Sequence, residues 1–256
     1  MKRKSVVKQF LFKHLKFETY LLILSKLYFI SYRLGILKFS KAYTYHYALK
    51  QFIKSGDTVI DIGANLGYYS VLFSRWVKSS GKVFAVEPVI PVFNTLKKNT
   101  SGLGNVTLLN FALGDENKSI RMANESKEKY GYITTGTHFV YSDSHTQATN
   151  IDSLVFFNAE MRKGSEVFNE LENIDFIKCD VEGFELVILD DIKLLIQKFK
   201  PSMLIETSEE SRQNVLEFMH ALGYQSYVIL KNKLVNYSEG NLPTPDILFL
   251  PIGNKK

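Results

Sequence analysis

An acid followed by a glycine-rich segment gives the clearest chemical signal in this chain. Asp61 lies in a run of apolar residues, and Gly63 and Gly67 follow it in the pattern D-x-G-x-N-x-G. Glycine has no Cβ, so a ligand can approach the backbone closely at these positions. Open α/β sheets bind ligands at the carboxyl ends of their strands. The pattern therefore predicts a site for a small ligand that contains a ribose. A glycine turn that serves packing alone is the structural alternative.

The spacing of the glycines indicates the kind of ligand. A dinucleotide site has G-x-G-x-x-G and a P-loop has G-x-x-x-x-G-K-[ST], and neither pattern occurs here. The segment also offers no lysine to meet a phosphate. We therefore expect a cationic ligand held by carboxylates, and S-adenosyl-L-methionine meets that description. Five residues are expected to surround it: Asp61, Gly63, Ala64, Asn65 and Gly67.

A second acid, Glu87, ends the next apolar run, one β-α-β unit after Asp61. An acid at this place can accept hydrogen bonds from two ribose hydroxyls. Pro88 has no backbone N–H, so it ends the strand and begins the turn. Asn110 and Ala112 close the third run, where the backbone and the Asn110 side chain are expected at the adenine edge. The alternatives are a solvated acid at Glu87 and an ordinary strand end at Asn110.

Two more acids, Asp180 and Glu182, stand between an apolar run and a helix, at the sheet edge that carries Asp61. Asp180 is expected to hold the methionine ammonium or to act as general base on a hydroxyl. Glu182 is expected to share a proton with Asp180 or to orient the substrate that carries the hydroxyl. Helix capping and stabilisation of the helix dipole form the alternative. A cation bridging the two acids needs a third protein ligand that the sequence does not place, so no metal is expected.

Weaker candidates complete the set of chemical groups. Glu206 ends another apolar run and should reach the same edge of the sheet. His138 and His145 lie in a polar stretch, where either is a candidate base or sugar contact and simple solvation is the alternative. Cys179 lies within an apolar run and is expected to be buried rather than nucleophilic.

Alternating strands and helices must position these groups, and the alternation predicts an α/β fold with a mostly parallel sheet. We expect a Rossmann-like sheet of seven strands whose last pair, at residues 224–230 and 246–250, is antiparallel. Residues 55–256 would form this domain. Residues 114–165 interrupt the alternation and are expected to form an inserted hairpin and loop near the mouth of the site.

The charge of the chain is divided unevenly. Residues 1–54 contain 12 basic residues and one acid, Glu18, whereas the remaining residues carry a net charge of −5. The mildly acidic remainder does not support a nucleic-acid partner.

The basic segment contains a long apolar run at residues 20–37, which Lys26 and Arg33 interrupt, so a membrane-spanning helix is not expected. It is predicted to form a helical extension that packs on the domain. An amphipathic helix on an anionic membrane surface is the alternative.

Cysteine usage bears on the compartment. A single cysteine excludes an intramolecular disulfide and favours a reducing, cytoplasmic environment.

Five segments in order resemble the FkbM family of methyltransferases over roughly residues 50–250. They are V-I-D-I-G-A-N-L-G at 59–67, V-E-P at 86–88, N-F-A-L-G-D at 110–115, T-N-I-D-S-L at 149–154 and D-F-I-K-C-D-V-E-G-F-E-L at 175–186. The D-V-E-G-F-E string is the most distinctive. Asn150 and Cys179 depart from the usual pattern, and neither is a charged site residue.

The resemblance implies an S-adenosylmethionine-dependent methyltransferase that methylates a hydroxyl. Acceptors in such families include sugars of surface polysaccharides and natural products. Two other classes stay open at this point. One is a nucleotide-sugar or dinucleotide oxidoreductase on the same fold, and the other is a binding protein without catalysis. The absence of G-x-G-x-x-G counts against the oxidoreductase, and the acids at three strand ends count against the binding protein.

Overall fold

A computed structural model describes residues 5–125, 127, 130–141 and 151–253. Its helices, numbered in chain order, are α1 Val6–His14, α2 Phe17–Arg33, α3 Thr44–Ala48, α4 Tyr68–Val77, α5 Ile90–Asn99, α6 Gly164–Val167, α7 Glu185–Asp191, α8 Lys193–Phe199 and α9 Arg212–Ala221. The strands are β1 Thr58–Ile62, β2 Lys82–Val86, β3 Val106–Leu109, β4 Ala112–Gly114, β5 Lys118–Asn124, β6 His138–Val140, β7 Val155–Lys163, β8 Phe176–Cys179, β9 Ser202–Glu206, β10 Tyr224–Leu230, β11 Lys233–Asn236 and β12 Asp246–Pro251.

The main sheet has the order β3-β2-β1-β8-β9-β12-β10-β11. The first five strands are parallel, and β12 runs antiparallel to both β9 and β10. This is the predicted Rossmann-like arrangement, with the last pair antiparallel. An eighth strand, β11, is added at the edge through a hairpin with β10, where the sequence predicts only a loop.

The central strands are buried on both faces, as expected for parallel strands covered by helices. All five residues of β1 are buried. One apolar cluster lies under α7, α8 and α9, and a second lies under α3 and α4 on the other face of the sheet. The carboxyl ends of β1, β2, β8 and β9 therefore meet at one edge of a rigid layer.

Several predicted boundaries were wrong for local reasons. The third strand was expected over residues 105–112, but its pairing with β2 ends at Leu109 because the N–H of Val89, the next donor toward it, bonds Oε1 of Glu87 instead. The helix expected from residue 65 begins at Tyr68, since Asn65 and Gly67 have φ of 53° and 84°. The helix expected over residues 183–199 is divided into α7 and α8 at Ile192, whose ψ is 10°.

Residues 114–165 contain more regular structure than a hairpin and loop. Strand β4, just before the insertion, joins three strands within it in a second sheet of order β4-β7-β5-β6. Its longest pairing joins β5 and β7 over seven antiparallel residue pairs. This small sheet stands beside the edge where the predicted site lies, and we call it the covering sheet.

The N-terminal extension packs on the rest of the chain, as the sequence predicts. One face of α2 buries Tyr20, Leu21, Ser25 and Tyr28 against α4, α5 and the covering sheet. Gly35, with φ of 73°, follows the end of α2, so the helix does not extend to residue 37. Among the described helices, none combines the length and apolar composition needed to cross a bilayer.

Candidate active site

A cavity lies at the carboxyl edge of the main sheet, and we call it the edge cavity. Loops after β1, β2 and β8 line one side, and the covering sheet lines the other. Its lining consists of Ile62, Gly63, Asn65, Val86, Glu87, Pro88, Ala112, Leu113, Met122, Thr135, Gly136, His138, Val140, Asp180, Val181, Glu182, Phe184 and Ile188. Sequence positions far apart therefore meet at one place.

Gly63 allows two loops to pack together beside this cavity. Its φ is 74°, and a Cβ at this position would collide with the carbonyl of Asp180. The N–H groups of Gly63 and Ala64 donate to the carbonyl of Val86 at 3.1 and 2.9 Å. Ala64 and Gly67 face the protein interior and are absent from the cavity lining. Among the loop residues named from the sequence, only Gly63 and Asn65 reach the cavity.

Glu87 reaches the cavity with its carboxylate already oriented. Oε2 accepts from the N–H of Asn65 at 3.0 Å, and Oε1 accepts from the N–H of Val89 at 2.9 Å. Burial raises the pKa of Glu87 to about 7, although these two backbone donors oppose the shift. Each oxygen keeps a further lone pair for a donor from the cavity. The carboxylate can therefore accept hydrogen bonds from two neighbouring hydroxyls.

Asn110 stabilises the backbone at Glu87. Its Nδ2 donates to the carbonyls of Glu87 and Pro88 at 2.9 and 3.1 Å, which fixes the turn after β2. Asn110 is itself exposed and does not line the edge cavity, whereas Pro88 and Ala112 do. The structure thus gives Asn110 contacts with the protein backbone at the place where a ligand contact was predicted.

Asp61 is fully buried and does not line the cavity. Ser70 donates its hydroxyl to Oδ2 of Asp61 at 2.6 Å, and Nζ of Lys178 lies 3.7 Å from Oδ1. Burial raises the pKa of Asp61, and the Lys178 ammonium and Ser70 hydroxyl offset part of that rise. In this structure Asp61 contacts the protein, so its influence on a ligand would pass through these neighbours.

Lys178 links the loop after β1 to the loop after β8, and the sequence alone gives it no role. It lies in β8, 2% exposed, with Nζ 3.0 Å from Oδ2 of Asp180 and 3.4 Å from the carbonyl of Gly63. The ring of Tyr69 lies 5.2 Å from the same ammonium. Burial alone would lower the pKa of Lys178, but the carboxylates of Asp180 and Asp61 outweigh it and raise the pKa. The signal in the sequence was a lysine between apolar residues of a central strand.

Asp180, Glu182 and Glu206 form an acidic group, with carboxylate oxygens within 4.8 Å of one another. Burial would raise the pKa of Asp180, but Lys178 and a hydrogen bond from Glu206 keep that pKa below its usual value. Burial and Asp180 raise the pKa of Glu206 to about 10. Glu206 is therefore protonated at neutral pH and donates to ionised Asp180. Glu206 is also the third carboxylate that the sequence alone does not place beside the other two.

The backbone at Glu182 is strained. Its φ is 56°, a left-handed conformation that a residue with a Cβ adopts at a cost. The alternative from the sequence was that Asp180 caps the following helix. The structure instead begins α7 at Glu185, and Glu185 accepts hydrogen bonds from the N–H groups of Val181 and Gly183 at 3.2 and 3.1 Å. The side chain of Glu185 thus holds this turn, and the two acids before it line the cavity.

His138 lies on β6 and is buried, which excludes the simple solvation that was the alternative to a chemical role. Its Nδ1 is 3.1 Å from the carbonyl of Thr135, a contact that requires a proton on Nδ1. Burial lowers the pKa of His138 to about 4, so the ring is neutral at pH 7. Nε2 is then an unprotonated acceptor, and within the described residues it has no hydrogen-bond partner. His145, Thr149 and Asn150 lie outside the described residues.

The strand order and the edge cavity define a Rossmann-like fold of the class I methyltransferases. Residues 61–226 match the family described as "Methyltransferase FkbM domain". The chain belongs to this FkbM methyltransferase family, so the resemblance stated above is confirmed. S-adenosyl-L-methionine is the cofactor of the family. The family match therefore counts against the oxidoreductase alternative.

The chain is similar to solved structures of methyltransferases. Methyltransferase FkbM from Methylobacillus flagellatus KT aligns with a TM-score of 0.52 and 16% identity, covering 81% of this chain and 47% of that chain. The chain therefore spans about half the length of that protein. An S-adenosylmethionine-dependent O-methyltransferase from Thermotoga maritima aligns with a TM-score of 0.41 and 15% identity, covering 80% of this chain and 63% of that chain. No curated protein matches the sequence.

Proposed function

We propose that the protein transfers the methyl group of S-adenosyl-L-methionine to a hydroxyl oxygen of a sugar or a related natural product. The observation that carries this proposal is the edge cavity itself, which Glu87 lines from the loop after β2 and Asp180 and Glu182 line from the loop after β8. The two loops thus offer separate carboxylates to the cofactor and to the acceptor.

Glu87 is the proposed ribose contact, because its carboxylate has two oxygens, each with one backbone donor and one further lone pair. Asn65 and Gly63 would border the methionine part, and the apolar side chains of Ala112 and Leu113 would contact the adenine. The remaining predicted cofactor residues are proposed to position the residues that make these contacts. They are Asp61, Ala64, Gly67 and Asn110, with Pro88 fixing the turn beside Glu87.

When bound, the cofactor supplies an electrophilic methyl group on a sulfonium. The task of the protein is then mainly to align the acceptor oxygen with that methyl group and to exclude water. Asp180 is the proposed proton acceptor, and Lys178 keeps it ionised over the ordinary pH range. Its low pKa does not prevent this role, because a hydroxyl oxygen that has gained a methyl group is a far stronger acid than a carboxylic acid.

Two neighbours would assist Asp180. Glu182 projects from a strained turn at the rim of the cavity and is proposed to orient the acceptor. His138 is neutral and presents an unprotonated Nε2, so it can accept a hydrogen bond from a hydroxyl or an amino group. It is the second candidate for proton acceptor, since it also lines the cavity.

The surroundings of Asp180 favour an uncharged acceptor. A groove adjoins the edge cavity, and the carboxylates of Glu182 and Glu210 line it beside the protonated Glu206. Such a wall would repel phosphates and other anions. Carboxylates accept hydrogen bonds from hydroxyls well, which supports a polyhydroxylated acceptor such as a sugar.

A labelling assay tests this function. The full chain would be incubated with isotopically methyl-labelled S-adenosyl-L-methionine and a panel of neutral sugars, glycans and hydroxylated natural products. The proposal expects label in an ether-linked methyl group, identified by mass spectrometry of the product. Label on nitrogen or carbon, or transfer that continues undiminished in Asp180→Asn, would contradict it. Cofactor binding without transfer to any member of the panel would favour the binding-protein alternative.

A further inference from the structure

Helix α2 is apolar on two opposite faces. One face is buried against the rest of the chain, as described above. On the other, Leu27, Ile30 and Leu34 are exposed to 51%, 55% and 69%. Spacings of three and four residues place these side chains on one side of a helix. Lys26 and Arg33 border this exposed face. Packing on the domain therefore leaves part of the apolar surface of α2 exposed.

The segments on either side of α2 also expose large apolar side chains. Val6, Val7 and Phe10 share an exposed face of α1, and Phe39, after α2, is 94% exposed. Of the 14 large hydrophobic residues that are exposed in the described part of the chain, eight lie before residue 40. We call the exposed side chains of residues 5–39 the extension surface. Single exposed hydrophobic residues are ordinary, but such a concentration marks an interaction site.

The charge of the extension indicates the kind of partner. Residues 1–54 have 12 basic residues and one acid. The carboxylate of that acid, Glu18, contacts Asn94 at 3.0 Å and Lys98 at 3.5 Å, which lie on α5. The extension surface is therefore basic as well as apolar. Pairing with a second copy would bring two such positive surfaces together, which is unfavourable. An anionic surface that also accepts apolar side chains is complementary.

We infer that the extension surface binds to the face of an anionic lipid bilayer. The apolar side chains of α1 and α2 would enter the headgroup region, while lysines and arginines contact acidic lipids. The opposite faces of the same helices contact the segment between β5 and β6 of the covering sheet. Gln9 donates to the carbonyl of Tyr130 at 2.8 Å, and Tyr20 shares an apolar cluster with Tyr132. The bilayer would thus lie on the side of the molecule that covers the edge cavity. This inference does not depend on methyl transfer.

Vesicle co-sedimentation of the full chain tests the inference. One set of vesicles contains phosphatidylcholine alone, and in the other set phosphatidylglycerol replaces part of it. We expect binding to the anionic vesicles, weaker binding as salt is added, and little binding to the neutral ones. Leu27→Glu and Ile30→Glu should each weaken binding roughly tenfold or more, because each removes a buried apolar side chain from the bound state.

Matched variants separate this surface from general adhesion. Leu194→Glu changes a leucine on α8 that is more exposed than either Leu27 or Ile30, at 77%, and should leave binding unchanged. Lys26→Glu combined with Arg33→Glu should remove the preference for anionic vesicles. Circular dichroism melting would verify that each variant is folded.

Two outcomes would overturn the inference. One is vesicle binding that is equal for both lipid compositions or insensitive to Leu27→Glu and Ile30→Glu. The other is a dimer, measured by light scattering after size-exclusion chromatography, that Ile30→Glu dissociates. That dimer would assign the extension surface to a second copy of the chain.

Discussion

The ammonium of Lys178 lies 3.0 Å from Oδ2 of Asp180, and Lys178 itself is almost wholly buried in the sheet. The same ammonium lies 3.7 Å from Asp61, so one cation joins the acid inside β1 to the acid after β8. Asp61 has no access to solvent, whereas the side chain of Asp180 is 34% exposed. The pair therefore connects the interior of the fold to the surface where chemistry is proposed.

Lys178→Met tests whether this cation stabilises the fold. Removing one partner of a buried ion pair leaves the other charge without compensation, which typically costs about 3–5 kcal/mol. We expect a loss of this size in the free energy of unfolding, measured by urea denaturation. Lys233→Met, at an exposed position on β11, should change it by less than about 0.5 kcal/mol. Equal stability of the two variants would show that Lys178 is not needed to compensate Asp61.

Asp180→Asn tests the proposed proton acceptor. The amide keeps the size of the side chain but has no negative charge, so turnover should fall by about 10²- to 10⁴-fold. The affinity for S-adenosyl-L-methionine should stay within a few-fold of the wild type, as measured by calorimetry. Asp190→Asn, which changes an exposed acid on α7, serves as the control and should leave both quantities unchanged. Loss of cofactor binding in Asp180→Asn would instead assign Asp180 to the methionine ammonium.

The pKa of Glu87 predicts how cofactor affinity changes with pH. In the free protein, burial raises this pKa to about 7. Ribose hydroxyls would donate to the ionised carboxylate and so lower the pKa in the complex. Binding then releases a proton below pH 7, and affinity should increase about tenfold from pH 6 to pH 8 and level off above the free-protein pKa.

Calorimetry in buffers of different ionisation enthalpy measures this proton release directly. Glu87→Gln removes the titrating group, so only the titration of the cofactor itself should remain in that variant. The histidine of the cavity should not contribute over this range, because burial lowers the pKa of His138 to about 4. A pH dependence that is the same in the wild type and in Glu87→Gln would contradict the ribose contact.

Gly63→Ala tests the close approach of the two loops. The new Cβ would collide with the carbonyl of Asp180, so the loops after β1 and β8 would have to separate. We expect loss of cofactor binding and a lower free energy of unfolding, by about 1–3 kcal/mol from overpacking together with the positive φ. Gly102→Ala is a matched control, since Gly102 has a φ of 86° and no atom lies within 4 Å of the place that its new methyl group would take. Equal losses in the two variants would leave only backbone strain as the cause.

The sequence was sufficient to predict the parts of the site that depend on local pattern. An apolar run followed by an acid and glycines fixes β1 and the loop with Gly63, and a proline fixes the end of β2 beside Glu87. The parallel order of the strands then follows from the alternation of strands and helices. For the same reason Asp180 and Glu182 were correctly expected at the edge that Gly63 occupies.

The parts that the sequence did not reveal depend on contacts between distant residues. Lys178 and Asp61 are 117 positions apart, and only the register of β1 against β8 brings them together. The same register turns Asp61 inward, away from the cavity. The place of His138 depends on the covering sheet, in which its own strand β6 has only three residues. Asn110 contacts backbone carbonyls, and no sequence pattern marks that kind of partner.

The most direct test of this account is a calorimetric titration of the purified chain with S-adenosyl-L-methionine at pH 8. The account predicts one binding site per chain, competition by the demethylated product, no binding of NAD, and much weaker binding in Glu87→Ala. No heat on titration, or binding that Glu87→Ala leaves unchanged, would contradict the assignment of the edge cavity as the cofactor site.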